Sequence, residues 1–301
     1  MSLNEKGIAS EMIYELEDVQ SSKGLKINLN TNDFDISSPI DVFKAVIRTF
    51  PVDSEIYKDF RKIFEDCYLK KQYPTEHVVV LPKWSPYPDF YQNKMLNGYF
   101  INNFKEEEYP ILRIIPRWQA EYNPYYVQLI VASLIRYGDS FVLHKATKES
   151  CLPDGMLTMV QGHAAYKCNA EVNFMFDSKS IKNVDFQSGL FKSYLFDELQ
   201  REAKEEIGCE ISSIMDKRGA FRLLYIPPEY NDISDISYYH MGVVFFSKVV
   251  SGIPSEKEPN INKLHIVKGN CGLRLLLNED DIDPWLVKAI NAFIPPTKEE
   301  K

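Results

Sequence analysis

The sequence predicts an α+β fold, an α/β/α sandwich with a mixed β-sheet covered on both faces, plus a small N-terminal α-helical extension. Three observations carry this. The run 237–250 has apolar residues on both strand faces (Tyr239, Met241, Val243 and Phe245 on one, Val244 and Phe246 on the other), the pattern of a central strand with no solvated side. Leu195, Leu199, Ala203 and Ile207 recur at helical spacing, with Gly208 as the stop. Asp283 followed by Pro284 opens a last helix through Trp285, Val287, Ile290 and Phe293. Strands therefore flank one central helix and another helix closes the chain, so both faces of a sheet can be covered.

Taken in order, residues 1–35 are polar and weakly patterned. Val42, Phe43, Val46 and Ile47 then lie at helical spacing behind Ser and Asp caps, and Pro51 ends that helix. Ile56, Phe60, Ile63, Phe64 and Cys67 give a second helix, capped by Asp53 or Ser54. These two short helices make an N-terminal extension over 1–72, read as a packing or oligomer-contact element that admits a homodimer. Residues 73–301 form the main domain. Val78–Leu81 and Ile111–Ile115 are strand candidates separated by an irregular stretch rich in Pro, Tyr and Trp. Tyr125–Tyr137, the turn Gly138-Asp139 and Ser140–Lys145 read as a hairpin. Gly155–Val160 is a strand leading to the loop Gln161-Gly162-His163, and 220–226 is another. Ile266-Val267 and Leu273–Leu277 are short strand candidates. The polar interval 164–188, with an apolar island at Val172, Phe174, Met175 and Phe176, is too long for an idle connection.

Composition narrows the function. The chain has 301 residues, 45% hydrophobic and 26% charged, with a net charge of −8. That balance argues against a nucleic-acid backbone as partner. No apolar run reaches a membrane span and the N-terminus carries no signal pattern, so a cytoplasmic protein with no membrane partner is expected. Five scattered cysteines make neither a disulfide framework nor a zinc pattern. The five histidines form no close pair, and each is read as structural or surface rather than as a ligand.

The chemistry concentrates at Arg201-Glu202-Ala203-Lys204-Glu205-Glu206-Ile207-Gly208. Glu202, Glu205 and Glu206 share one helix face, which Glu198 extends by a turn, and Arg201 can reach Glu205. Two carboxylates ~5 Å apart repel by about 3 kcal/mol at an effective dielectric of 20. A sheltered face of this kind calls for a cation, and hard divalent ions take carboxylate oxygens. A solvated helix face with Arg201 and Lys204 as partial neutralisers is the alternative.

This stretch resembles the second half of the Nudix box, Arg-Glu-aliphatic-x-Glu-Glu-x-Gly-aliphatic, with Cys209 in the last aliphatic place. The first half departs from it. Ser193 stands where the box has Glu, and Gly162 fits the box glycine only if an insertion of about 164–188 separates it from the helix. Arg117-Trp118-Gln119-Ala120-Glu121-Tyr122-Asn123-Pro124, Gln161-Gly162-His163 and Tyr239–Phe245 extend the likeness to a little-characterised "phosphoesterase" type of Nudix-like protein. In that branch Gly-Gly-His and His-aliphatic-Gly motifs stand in the latter two places, and Gln161 replaces the first glycine here.

The resemblance implies a Nudix-type sandwich and a pyrophosphohydrolase. Such an enzyme cleaves a diphosphate linkage in a small nucleoside diphosphate derivative with Mg²⁺ or Mn²⁺. It implies that Glu202, Glu205, Glu206 and the Gly162 carbonyl hold the metal and that Arg201 braces the carboxylates. His163 either donates to a phosphate or fixes its loop, and Glu121 is a candidate at the substrate by resemblance alone. The general base stays open among these glutamates, Glu198, Glu279, Asp280 and Asp281. Two alternatives remain: a Nudix-fold nucleotide-binding or regulatory protein whose box has decayed, and an isopentenyl-diphosphate isomerase-like enzyme using Cys168. The lysines and apolar island of 164–188 suggest one wall or lid of the substrate site, with a plain surface excursion as the other reading.

Overall fold

The computed structural model describes residues 5–22, 38–82, 112–147, 155–165, 189–215, 221–224, 239–257 and 261–294. The chain divides into two compact units. The first comprises Met1–His77, Ile115–Pro124 and Pro228–Tyr239, and the second Val78–Ile114, Tyr125–Pro227 and His240–Lys301. The first unit thus takes in 115–124 and 228–239, segments that the sequence reading places with the larger domain.

In the first unit, α1 (Glu5–Ser22) adds a helix ahead of the two expected ones, inside the stretch whose pattern is weak. It buries Ile8, Ala9, Met12 and Leu16. That stripe is only about one residue wide per turn, so the periodicity is faint. Helix α2 (Pro39–Thr49) is capped by Ser38, whose Oγ accepts from the Asp41 N–H at 3.2 Å. Helix α3 (Glu55–Phe64) is capped by Ser54 in the same way, and runs on through a π-helical turn, Glu65–Leu69, to Gln72. Phe43 stacks on Phe64 with ring centroids 4.9 Å apart. Tyr122 tilts over Phe64 and meets the edge of Tyr239. Buried Arg61 donates to the carbonyls of Glu121 (2.7 Å), Trp118 (3.1 Å) and Gln119 (3.3 Å), and its Nε to Glu65 (2.8 Å). These distant contacts, invisible to local pattern, fix 115–124 to the helices.

The sheet is organised around β3 (Tyr126–Tyr137), and its other strands are β1 (His77–Pro82), β2 (Arg113–Pro116), β4 (Ser140–Ala146), β5 (Leu157–Thr158), β6 (Val160–His163), β7 (Glu210–Ser213), β8 (Phe221–Leu224), β9 (His240–Ser251) and β10 (Ile261–Lys268). Along one edge of β3 lie β1, β6 and β4 in turn, all antiparallel. Along the other runs β9, parallel from Gln128↔His240 to Arg136↔Lys248. The sheet is therefore mixed, and β7 and β8 continue it beyond β9. Helix α4 (Gly189–Ile207) covers one face and packs with Leu129, Val131, Val142, Val243 and Phe245. Helices α5 (Gly269–Leu275) and α6 (Pro284–Phe293) cover the other, with Ile130, Ala132, Leu134, Phe141 and Val244. β3 thus buries both parities, the reason for its unbroken apolar run.

Three expectations for the sheet and its helices change. Leu273–Leu277 is helical, part of α5 and a following 3₁₀ turn, not a strand. Gly269, at φ +68°, turns the chain off β10 before it can extend further, and so short an apolar run carries no period of its own. Gln161-Gly162-His163 is strand, not loop. The expected 155–160 strand breaks at Met159, where the chain changes partner from β4 to β3. Asp283 caps α6 by accepting from the Trp285 N–H at 2.9 Å.

Candidate functional site

Gly162 sits in β6 opposite Val131 of β3. Its Cα faces α4, and a Cβ built there would fall inside the Glu202 carboxylate. A side chain there would have to displace that carboxylate, so strand register and helix face together bring the two residues into contact. Glu198, Glu202 and Glu206, one turn apart on α4, are all buried, whereas Glu205 is exposed. Ser193 also points to solvent, and the first carboxylate of the buried row is Glu198 instead.

Arg201 lies among these acids. Its Nε donates to Glu198 at 3.1 Å, Nη1 to Glu205 at 2.5 Å and Nη2 to Glu202. Burial alone would lower the Arg201 pKa, but the carboxylates of Glu202, Glu198 and Glu205 outweigh it and hold the guanidinium above its ordinary range. Glu202 responds oppositely. Burial pushes its carboxyl up, Arg201 pulls it down and the charges of Glu206 and Glu205 push it up again, leaving it at about 7. Even with Arg201 beside it, this carboxylate lacks sufficient positive charge.

His144, on β4, faces the same cluster. Its Nε2 lies 3.1 Å from the Met159 carbonyl and 3.5 Å from Glu206 Oε2. Burial works to lower the His144 pKa, and contact with Glu206 and the Met159 carbonyl more than compensates. The sequence placed His144 among structural or surface histidines. Only its parity with Val142, which points at α4, hints at the role. A second polar group supports the glycine strand. Thr158 Oγ1 donates to Asp283 at 2.6 Å, and the Gln161 amide donates to Thr158 at 3.2 Å.

The other candidates are dispersed. His163, one residue after Gly162, points to the opposite sheet face, since neighbouring strand residues alternate. There its ring meets the edge of His240 with centroids 5.3 Å apart, and Gln128 Nε2 lies 3.4 Å from His240 Nε2. Glu121 belongs to the first unit, where it is buried and accepts from Arg117 Nε at 3.2 Å. Glu279, Asp280 and Asp281 are exposed. Cys168 and residues 166–188 of the expected insertion, with their lysines and apolar island, lie outside the described residues. Ala164 and Ala165 are described, and hydrogen-bond and bridge to β3 and β1 as strand-like extensions of β6.

The donor set suits a hard divalent cation: buried carboxylate oxygens, a glycine whose missing side chain makes space beside them, and a carboxyl that resists ionisation. Among the described residues, no three His, Cys, Asp or Glu side chains are placed so that they could hold a metal ion as they stand. Arg201 holds Glu198, Glu202 and Glu205 instead. Among the described residues no helix is long and apolar enough to cross a membrane.

No protein-family profile and no curated protein matches the chain. Solved structures of Nudix hydrolases align with part of it. Tm1382, provisionally classed as a Nudix hydrolase, aligns at 16% identity over 73% of this chain and 98% of its own, with TM-score 0.46. A Nudix hydrolase from Nitrosomonas europaea aligns at 16% over 55% and 86%, with TM-score 0.34. One from Clostridium perfringens aligns at 17% over 55% and 95%, with TM-score 0.32. At 16–17% identity and TM-scores of 0.46 and below, these alignments carry no argument about this chain.

Proposed function

We propose that the chain is a Nudix-type hydrolase that cleaves a diphosphate linkage in a nucleoside diphosphate derivative with Mg²⁺ or Mn²⁺. The observation that carries this is the Glu202 carboxylate laid against the bare Cα of Gly162 and beside Glu206, where burial and like charge raise its pKa to about 7. A fold accepts that penalty where a cation relieves it.

Glu202 and Glu206 would hold the ion, with the Gly162 carbonyl as a further oxygen and Glu205, exposed and paired with Arg201, joining only if it turned inward. A bound divalent ion supplies the charge that neutralises phosphoryl oxygens and makes water a stronger nucleophile at neutral pH. Arg201 spans Glu198, Glu202 and Glu205 and sets the spacing of their carboxylates. Glu198, buried one turn before Glu202, takes the place that Ser193 leaves empty in the acidic row. Gln161, Thr158 and Asp283 hold the glycine strand from its other side. The N-terminal helices and the segment 166–188 are assigned no chemical step.

A phosphate-release screen over nucleoside diphosphate sugars, dinucleoside polyphosphates and NADH, with Mg²⁺ and with Mn²⁺, tests the reading. Turnover on at least one substrate, abolished by EDTA and cut about 100-fold or more in Glu202→Gln, is expected. Ion binding without turnover on any of them favours the nucleotide-binding or regulatory reading, which the exposed Ser193 and the closure of Arg201 on three carboxylates support.

A further inference from the structure

We propose that His144 is a positioning residue for the divalent-ion site: it ties the Glu206 carboxylate on the helix to the strand that carries Gly162. The proposal rests on the ion-binding reading of the acidic cluster. His144 stands in the middle of β4, opposite Thr158 of β5, and is 6% exposed. A carbonyl oxygen can only accept, so the 3.1 Å contact with Met159 puts the proton on Nε2. The same N–H lies 3.5 Å from Glu206 Oε2, a charge contact longer than a full hydrogen bond.

Met159 is the residue at which the chain passes from β5 to β6, three residues before Gly162. One imidazole therefore links the third carboxylate of the helix to the backbone that presents the glycine. A leucine or valine would fill this core position. A histidine there costs desolvation that only its polar contacts recover. A carboxylate that binds a cation gains from a donor that fixes its orientation, and such outer partners commonly govern metal affinity. Glu206 is 8% exposed, so water has little room to serve as that donor.

The test uses the full-length protein and Mn²⁺ binding followed by electron paramagnetic resonance. His144→Leu is expected to weaken Mn²⁺ binding by about 10–100-fold. His144→Gln, whose amide N–H can replace the imidazole donor, is expected to retain most of the affinity, and Glu206→Gln serves as the reference loss. If wild type binds Mn²⁺, Glu206→Gln weakens it and His144→Leu leaves it unchanged, the positioning role is wrong while the ion site stands. If wild type binds no Mn²⁺, both fail. If His144→Leu does not fold, histidine ¹⁵N spectra of the wild type during Mg²⁺ titration decide. The His144 Nε2 resonance should move with Mg²⁺ and stay fixed in Glu206→Gln. A resonance that stays fixed in the wild type overturns the proposal.

Discussion

Glu202→Gln should stabilise the metal-free protein at alkaline pH while destroying its function. The folded-state pKa of Glu202 is raised, from the ordinary 4.5 to about 7. A raised folded pKa means that the group's stabilising contribution is complete below pH 4.5 and is lost as pH climbs through 7. Above that range the ionised, buried carboxylate opposes folding. The rise corresponds to at most roughly 3 kcal/mol, already net of the attraction to Arg201. The side chain keeps 12% of its exposure, so solvent screening trims this, and about 2 kcal/mol is a fair expectation. Gln removes the charge and keeps the shape.

In EDTA at pH 8.5 the variant should therefore melt a few degrees above wild type, and the difference should vanish near pH 4.5. With millimolar Mn²⁺ the order should reverse, because ligand binding to the native state stabilises wild type and hardly the variant. Differential scanning calorimetry over pH, with and without Mn²⁺, reads all of this. A variant less stable than wild type at pH 8.5 in EDTA would refute the account of Glu202 as a carboxylate short of positive charge.

Gly162→Ala should displace the Glu202 carboxylate. Mn²⁺ affinity should fall at least about tenfold, while the fold loses only the 1–3 kcal/mol or so of an overpacked contact; unchanged Mn²⁺ binding by calorimetry would show that the close approach has no functional purpose. Arg61→Ala leaves the carbonyls of Trp118, Gln119 and Glu121 and the Glu65 carboxylate without their shared donor. It should cost the first unit about 3 kcal/mol, read as a lower urea midpoint and faster proteolysis within 115–124, with catalytic constants of the intact protein as the control.

Much of this molecule is written in local sequence. The α4 stripe from Leu195 to Ile207, the Ser38, Ser54 and Asp283 caps and the Gly208 stop are read over a few residues, because helix periodicity and end-group satisfaction are short-range properties. Gly208 indeed takes φ +70° at the end of α4. The acidic row is legible for the same reason, since residues three and four apart on a helix must share a face.

Which members of that row are buried was decided by packing. Glu198, Glu202 and Glu206 turn towards the sheet and Glu205 away from it, a consequence of how α4 rolls on β3 and β6. The demand for glycine at 162 came from a helix 40 residues downstream, and its neighbour His163 went to the other face by strand parity. His144 reached Glu206 because β4 pairs beside β5 in one register and not the next. A shift by one residue would have turned it into the opposite core, a choice that no local pattern records.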